Sequence, residues 1–319
     1  MLSKMIPAVT SLLFLAVGSG NLAAETLGDA LRTADVPTQQ FTAAELGRNI
    51  TSYAIGGDDA YLLAYYTDDG SGTLQPPLHV IRYDRAKDDL RRADLGEAHA
   101  LFQGAIPMDC LGSADGIREY RGVIYINTHV NPSAGCVIVL NSELSLKAAL
   151  SGWLIGLLGS DYAILRGSEV HFMSVHPMHI EVYDLKRNRL AEVYPYSGDP
   201  QRREFSRSIE PLISRKWCME YYAQCDPEIF DTNLKGNVAV NEASRVFGFE
   251  AQFDAAGFGE TVEQQVPLRV VVYVFRERAG TWEHRQFEPG QFQRLFGGMS
   301  IEELVSKKPD VAFAQATGR

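Results

Sequence analysis

The chain has 319 residues, with 30 Lys and Arg against 40 Asp and Glu, for a formal net charge of −10. Such an acidic balance excludes nucleic acid as a natural partner and argues against general adhesion to anionic membranes. No stretch beyond the first residues is apolar over the length that a membrane helix needs.

The N-terminus reads as an export signal. Lys4 gives a positive start, residues 5–17 form a short apolar core, and Leu22-Ala-Ala24 supplies small residues for cleavage, so residues 1–24 are expected to be removed and the mature chain to begin near Glu25. The apolar core is too short to span a bilayer and is broken at once by Gly18-Ser-Gly-Asn21. A periplasmic or secreted protein follows, without membrane insertion. Export also makes disulfides the expected state of Cys110, Cys136, Cys218 and Cys225. The C-x2-C spacing of zinc sites is absent.

Residues 25–50 form an extension in which 27–46 reads as helical. From there to about residue 290 the chain repeats itself. The run His79-Val-Ile-Arg-Tyr-Asp84 returns as His179-Ile-Glu-Val-Tyr-Asp184, and the stretch beginning at Tyr53-Ala-Ile returns at Tyr162-Ala-Ile. A period of this kind marks a repeat architecture. Four copies can be laid out, each of four strands rich in Val, Ile, Tyr and Phe. The first has 53–55, 60–67, 79–84 and 90–95, and the second 117–120, 123–130, 136–141 and 146–151. The third is expected at 162–165, 169–175, 179–185 and 189–194, and the fourth at 238–240, 245–253, 268–275 and 281–287. Gly56-Gly-Asp-Asp59, Arg121-Gly122, Arg166-Gly-Ser168 and Asn241-Glu-Ala-Ser244 recur at one point in each copy and suit tight hairpins.

Between the third and fourth copies an insert at about 200–230 carries Phe205, Ile209, Leu212, Ile213, Trp217 and Tyr221 at helical spacing and reads as a decorating helix. Residues 291–319 form a C-terminal extension, helical over 291–308, with the capping-box pattern Ser300-Ile-Glu-Glu303.

Four-stranded antiparallel units at this period resemble the blades of β-propellers. The expected fold is all-β: a propeller-like domain of four or five blades with peripheral helices. The resemblance is architectural, since no WD dipeptide, kelch double glycine or Asp-box occurs, and it names no family. It implies that the long loops, at 68–78, 131–135, 176–178 and 254–267, emerge at one end together with the blade-to-blade connections 96–109 and 156–160. Loops converging on a rigid scaffold are where binding residues collect. Cys110 and Cys136 fall at that end of one copy, which favours pairing them and leaves Cys218 for Cys225. Closing the longer loop would contribute roughly 3 kcal/mol.

Three groups of residues stand out as a candidate site. His79, His129, His176 and His179 lie in or beside the long loops, with Asp68 and Asp69 near, and imidazole is a common metal ligand. The equivalent placing of His79 and His179 in two copies instead favours one shared structural hydrogen bond, and no metal or other cofactor is expected. Asp109, Asp161 and Asp231 each precede an expected inner strand, a pattern similar to propeller glycosidases, where carboxylates from different blades act across a sugar bond. Ordinary turn-capping explains the same three. Trp217 could anchor a partner. The reading that results is a binding or interaction protein that takes a protein or glycan partner on its long-loop face, with a carbohydrate-active hydrolase as the alternative.

Overall fold

The computed structural model describes residues 25–57, 59–67, 75–95, 112–131, 134–167, 170–171, 174–175, 180–194, 200–212, 231–255 and 264–314. Four antiparallel sheets follow one another along the chain. The first comprises β1 (Glu25–Thr26), β2 (Asn49–Gly56), β3 (Tyr61–Thr67), β4 (Gln75–Asp84) and β5 (Asp89–Asp94), in that order. The second comprises β6 (Ser113–Tyr120), β7 (Val123–Asn131), β8 (Ala134–Asn141) and β9 (Leu146–Ser151). The third is ordered β10 (Trp153–Leu158), β11 (Tyr162–Arg166), β14 (Ile180–Asp184), β15 (Arg189–Tyr194), with a small hairpin of β12 (Val170–His171) and β13 (Ser174–Val175) between β11 and β14. The fourth comprises β16 (Asp231–Asn241), β17 (Val246–Asp254), β18 (Arg269–Arg278) and β19 (Thr281–Phe287). This is the propeller-like arrangement of four blades, each a meander whose consecutive strands are neighbours.

Both faces of each sheet are used, which is why the central strands read as almost unbroken apolar runs. Leu62, Ala64, Tyr66 and Val80 of the first sheet share a core with Ile117, Ile124, Ile126 and Ile138 of the second. The other face of the second sheet, with Tyr125, Val137 and Val139, packs on Leu154, Leu157, Ala163 and Leu165 of the third. The third then meets the fourth through Tyr162, Ile164 and Val182 against Phe247, Phe249 and Phe275. Aromatic pairs align across the β17–β18 ladder, with Phe247 and Phe275 at 4.7 Å and Phe249 and Tyr273 at 5.3 Å between centroids. Such cross-strand pairs stabilise by about 0.5–1.5 kcal/mol beyond their burial.

Helices cover the two outermost faces. Leu27, Ala30 and Leu31 of α1 (Leu27–Thr33) pack with Tyr61, Leu63, Ile81 and Tyr83 on the free face of the first sheet, and α2 (Ala43–Leu46) starts with a complete Thr42–Glu45 capping box. At the other end α4 (Pro289–Phe296), α5 (Ile301–Lys307) and α6 (Val311–Ala314) cover Val246, Val272, Val274 and Phe287 of the fourth sheet. The Ser300–Glu303 capping box forms as expected. Among the described residues no apolar cluster joins the first sheet to the fourth; each spends its free face on a terminal helix. The insert yields α3 (Pro200–Ile209) and a 3-10 turn (Glu210–Leu212), held by buried Phe205 against Phe253 at 5.8 Å. Trp217, Cys218 and Cys225 lie outside the described residues.

The repeated Tyr-Asp pair is a turn device. In the first copy the Tyr83 hydroxyl donates to Asp88 Oδ1 at 3.0 Å and Asp84 Oδ1 accepts from the Lys87 amide at 3.2 Å. In the third, Tyr183 donates to Asn188 at 2.8 Å and Asp184 accepts from the Arg187 amide at 2.9 Å. Asp88 and Asn188 both sit at φ 52°, where Asp and Asn are better tolerated than other residues with a side chain. Equivalent hairpins are thus built from a six-residue pattern.

One expected copy is out of phase. The third sheet begins at Trp153, not at Tyr162, so Tyr162–Arg166 is its second strand and 169–175 supplies only the small hairpin. Residues 156–160 are expected as a blade-to-blade connection. Instead Gly159, at φ 61°, makes the turn into β11, and a side chain on Gly156 would come within 2.9 Å of Val240 on the fourth sheet. The glycines are there for close approach. The remaining inner strands are longer than expected at their first residues, reaching back to Asn49, Ser113 and Asp231.

Candidate functional site

In every sheet the first-to-second and third-to-fourth connections are tight and lie at one end. The second strand of each sheet ends, and the third begins, at the other end.

The tight-turn end is closed by ion pairs. Arg82 of the first sheet holds Glu119 of the second through Nε and Nη2 at 2.9 and 3.2 Å, both side chains being nearly buried. In the turn after β16, Glu242 receives the Tyr120 hydroxyl and pairs with Arg121 at 2.7 Å, linking the fourth sheet to the second. Arg245 joins the buried Glu277 and reaches Asp161 at 3.2 Å. Asp161 also takes Lys186 at 2.7 Å, and these partners hold its carboxyl below the ordinary range. Every named carboxylate here has a cation, so this end is a lock between sheets.

The long-loop end differs where the first two sheets meet. Both inner strands bulge there: β2 loses register between Thr51 and Ala54, and β6 between Ala114 and Gly116. Ser52 sits in the first bulge at φ 45° and accepts the Ala114 amide on its hydroxyl at 3.0 Å. A non-glycine residue in that conformation costs on the order of 1 kcal/mol or more, and bulges of this kind re-aim side chains. The residue re-aimed in β6 is Asp115. Its two carboxylate oxygens lie 2.7 Å from Nδ1 of His129 on β7. An ionised carboxylate only accepts, so Nδ1 carries the proton and Nε2 is left outside the pair.

The Asp115 side chain is 34% exposed, and its partial desolvation pushes the carboxyl above its ordinary range, the His129 hydrogen bond offsetting this only in part. Of the described carboxylates with a shifted pKa, Asp115 alone moves up. Tyr66 of β3 completes the group. Its ring is 1% exposed, its hydroxyl is buried without a hydrogen-bond partner, and burial together with the Asp115 charge pushes its pKa up. A strained serine, a dyad with a raised carboxyl and an unsatisfied phenol converge within one seam, a combination found at sites of binding or chemistry.

The expected site residues fall as follows. His129 belongs to this seam. His79 lies on the opposite face of the first sheet, its Nδ1 2.7 Å from Asp94 on β5 and its ring stacked on Tyr65 at 4.9 Å; the equivalent bond expected of His179 lies outside the described residues. Asp68, Asp69, His176, His179, Asp109 and Cys110 lie outside the described residues. Cys136 is buried and disulfide-bonded, its partner lying outside them too.

The acidic trio needs correction. Asp161 does not precede an inner strand; it ends the tight turn between β10 and β11, bound to Arg245 beyond the far end of β16. Asp231 opens β16, so the strand length separates the two by about 30 Å. Glycosidase carboxylates stand about 5–9.5 Å apart, and these two cannot act on one bond. Asp115, Tyr66 and Ser52 are absent from the expectation; the available signal was Gly116 inside a strand-like run, which marks a bulge.

Among the described residues no group of three or more His, Cys, Asp or Glu side chains is arranged to hold a metal ion, and no helix is long and apolar enough to cross a membrane.

No family model matches the chain, and no curated protein matches it. Among solved structures it is similar to the β-propeller domain of the Trilobed protease from Pyrococcus furiosus, described as having an open velcro topology, with 10% identity and a TM-score of 0.35 over 74% of this chain and 57% of that one. The quinohemoprotein alcohol dehydrogenase of Comamonas testosteroni is 11% identical, with a TM-score of 0.39 over 84% of this chain and 41% of that one. A Bombyx mori GH32 β-fructofuranosidase in complex with sucrose is 11% identical, with a TM-score of 0.25 over 76% and 52%. The chain spans about half the length of these structures. At such identities the likeness concerns sheet arrangement and carries nothing about activity.

Proposed function

We propose that this is an exported protein that binds a protein or glycan partner at its long-loop end, with Asp115 and His129 at the contact. The observation that carries the reading is the contrast between the two ends. One spends its charges on pairs between sheets; the other keeps a carboxyl of raised pKa, an imidazole with one nitrogen outside the pair and a buried unsatisfied phenol. These are groups that gain free energy when a ligand supplies the missing partners.

The test is binding to a glycan array and to solubilised envelope proteins by the mature chain, by Asp115→Asn and His129→Ala, and by Lys186→Ala at the opposite end. The reading expects at least a tenfold loss in the first two variants and none in the third. Equal binding by all three would end it. Export itself is tested by N-terminal sequencing of the protein recovered outside the cytoplasm, which should begin near Glu25. The pairing of Cys110 with Cys136 belongs to the same proposal and is read by peptide mapping without reduction.

A second reading, hydrolysis of a glycosidic bond, is favoured by one thing: a carboxyl of raised pKa on an inner strand suits a general acid. It differs in predicting sugar release that Asp115→Asn abolishes.

A further inference from the structure

Arg118 is a described cation that takes no part in the lock at the tight-turn end. It lies on β6, the inner strand of the second sheet, between Ile117, which packs toward the first sheet, and Glu119, which pairs with Arg82 of the first sheet. Its side chain therefore points the other way, onto the face shared with the third sheet, directly across the ladder from Tyr125. Its Nε and Nη2 are buried and hydrogen-bond to nothing. Burial pushes the guanidinium below its ordinary range, and among the described residues the titratable group that acts on it is Tyr125, itself pushed up to about 12 by burial. Arg82 and Arg245 show the opposite behaviour, because carboxylates face them.

A guanidinium that gives up water without gaining an anion is destabilising, and an apolar side chain in the same place would avoid the cost. The planar fork of Nε and Nη2 matches the two oxygens of a carboxylate or phosphate. We propose that Arg118 is the base of an oxyanion subsite at the inner edge of the second and third sheets, taking a carboxylate or phosphate group. It lies three residues along β6 from Asp115, about 10 Å away along the strand, and two residues before Tyr120, where β6 ends in the tight turn. The subsite stands on the unpaired fork alone and does not depend on the binding role assigned to Asp115 and His129.

The experiment is thermal melting of the mature protein in malonate, in phosphate and in chloride at matched ionic strength, for the parent, Arg118→Met and Arg118→Lys. Expected is a saturable rise in Tm of the parent with malonate, with phosphate, or with both, beyond any rise in chloride. Malonate alone marks a carboxylate ligand and phosphate alone a phosphoryl one. Arg118→Met should melt at or above the parent in chloride and lose the rise; Arg118→Lys should fold and bind the anion at least tenfold more weakly. A parent insensitive to both oxyanions, a rise retained in Arg118→Met, or an Arg118→Met that melts well below the parent in chloride would each overturn the assignment.

Discussion

Both carboxylate oxygens of Asp115 lie 2.7 Å from Nδ1 of His129, across the one irregular step of the β6–β7 ladder. The bulge makes this contact possible, since Asp115 is the residue left without a cross-strand partner. Because partial desolvation raises its pKa above the ordinary 3.8, the folded chain holds that proton more tightly than the unfolded one. Stability from this group is therefore greatest in acid and falls as pH rises through the folded pKa. Asp115→Asn should abolish the fall while leaving the neutral-pH melting temperature at or above the parent's, and should lose ligand. Melting curves from acid to neutral pH read the first part.

Asp161 should behave in the opposite sense. Lys186 and Arg245 hold its pKa below 3.8, so the stability it gives is present above 3.8 and is lost as pH falls through the lower folded value. With Lys186 largely exposed, Asp161→Asn should cost only about 0.5–1 kcal/mol at neutral pH. It should leave binding unchanged, as urea titration and binding curves on one preparation would report.

The Arg82–Glu119 pair is the nearly buried link between the first two sheets, with side-chain exposures of 8% and 13%. Removing Glu119 leaves the nearly buried Arg82 with only Asp84, at 3.7 Å, so Glu119→Gln should destabilise by about 2 kcal/mol. Replacing both with Met and Leu should recover much of the loss. A double-mutant cycle by chemical denaturation measures the coupling, which should exceed that of the exposed Lys307–Glu303 pair on α5.

Gly135 has no room for a side chain, because a Cβ there would stand 2.2 Å from the indole of Trp153. Gly135→Ala must move that ring or the start of β10, at a cost of roughly 1–3 kcal/mol. A shift in tryptophan fluorescence with a lower melting temperature is expected.

Much of the fold could be read from residue pattern alone because the repeat is physical. Tyr83-Asp84 and Tyr183-Asp184 build the same hairpin, and alternate Phe residues in β17 can only be core. The phase of the third sheet is not legible, because Trp153–Leu158, bracketed by glycines, carries no period that separates a strand from a loop. The site was half legible. His129 showed by its place beside the β7–β8 connection, expected as a long loop over 131–135 but spanning only residues 132–133 between the paired Asn131 and Ala134, whereas Asp115 and Tyr66 acquire their character from desolvation and a bulge, which are properties of the packed sheets.

The central claim is that ligand is taken at the long-loop end of the sheets. Photo-crosslinking in the native envelope, from benzoylphenylalanine placed at Thr67 or at Ala243, measures it most directly, for these positions mark the end of β3 at the long-loop end and the tight turn after β16. The account predicts covalent adducts from position 67 that vanish in the Asp115→Asn background, and none from position 243. Adducts from position 243 alone, or adducts at position 67 indifferent to Asp115, would contradict it.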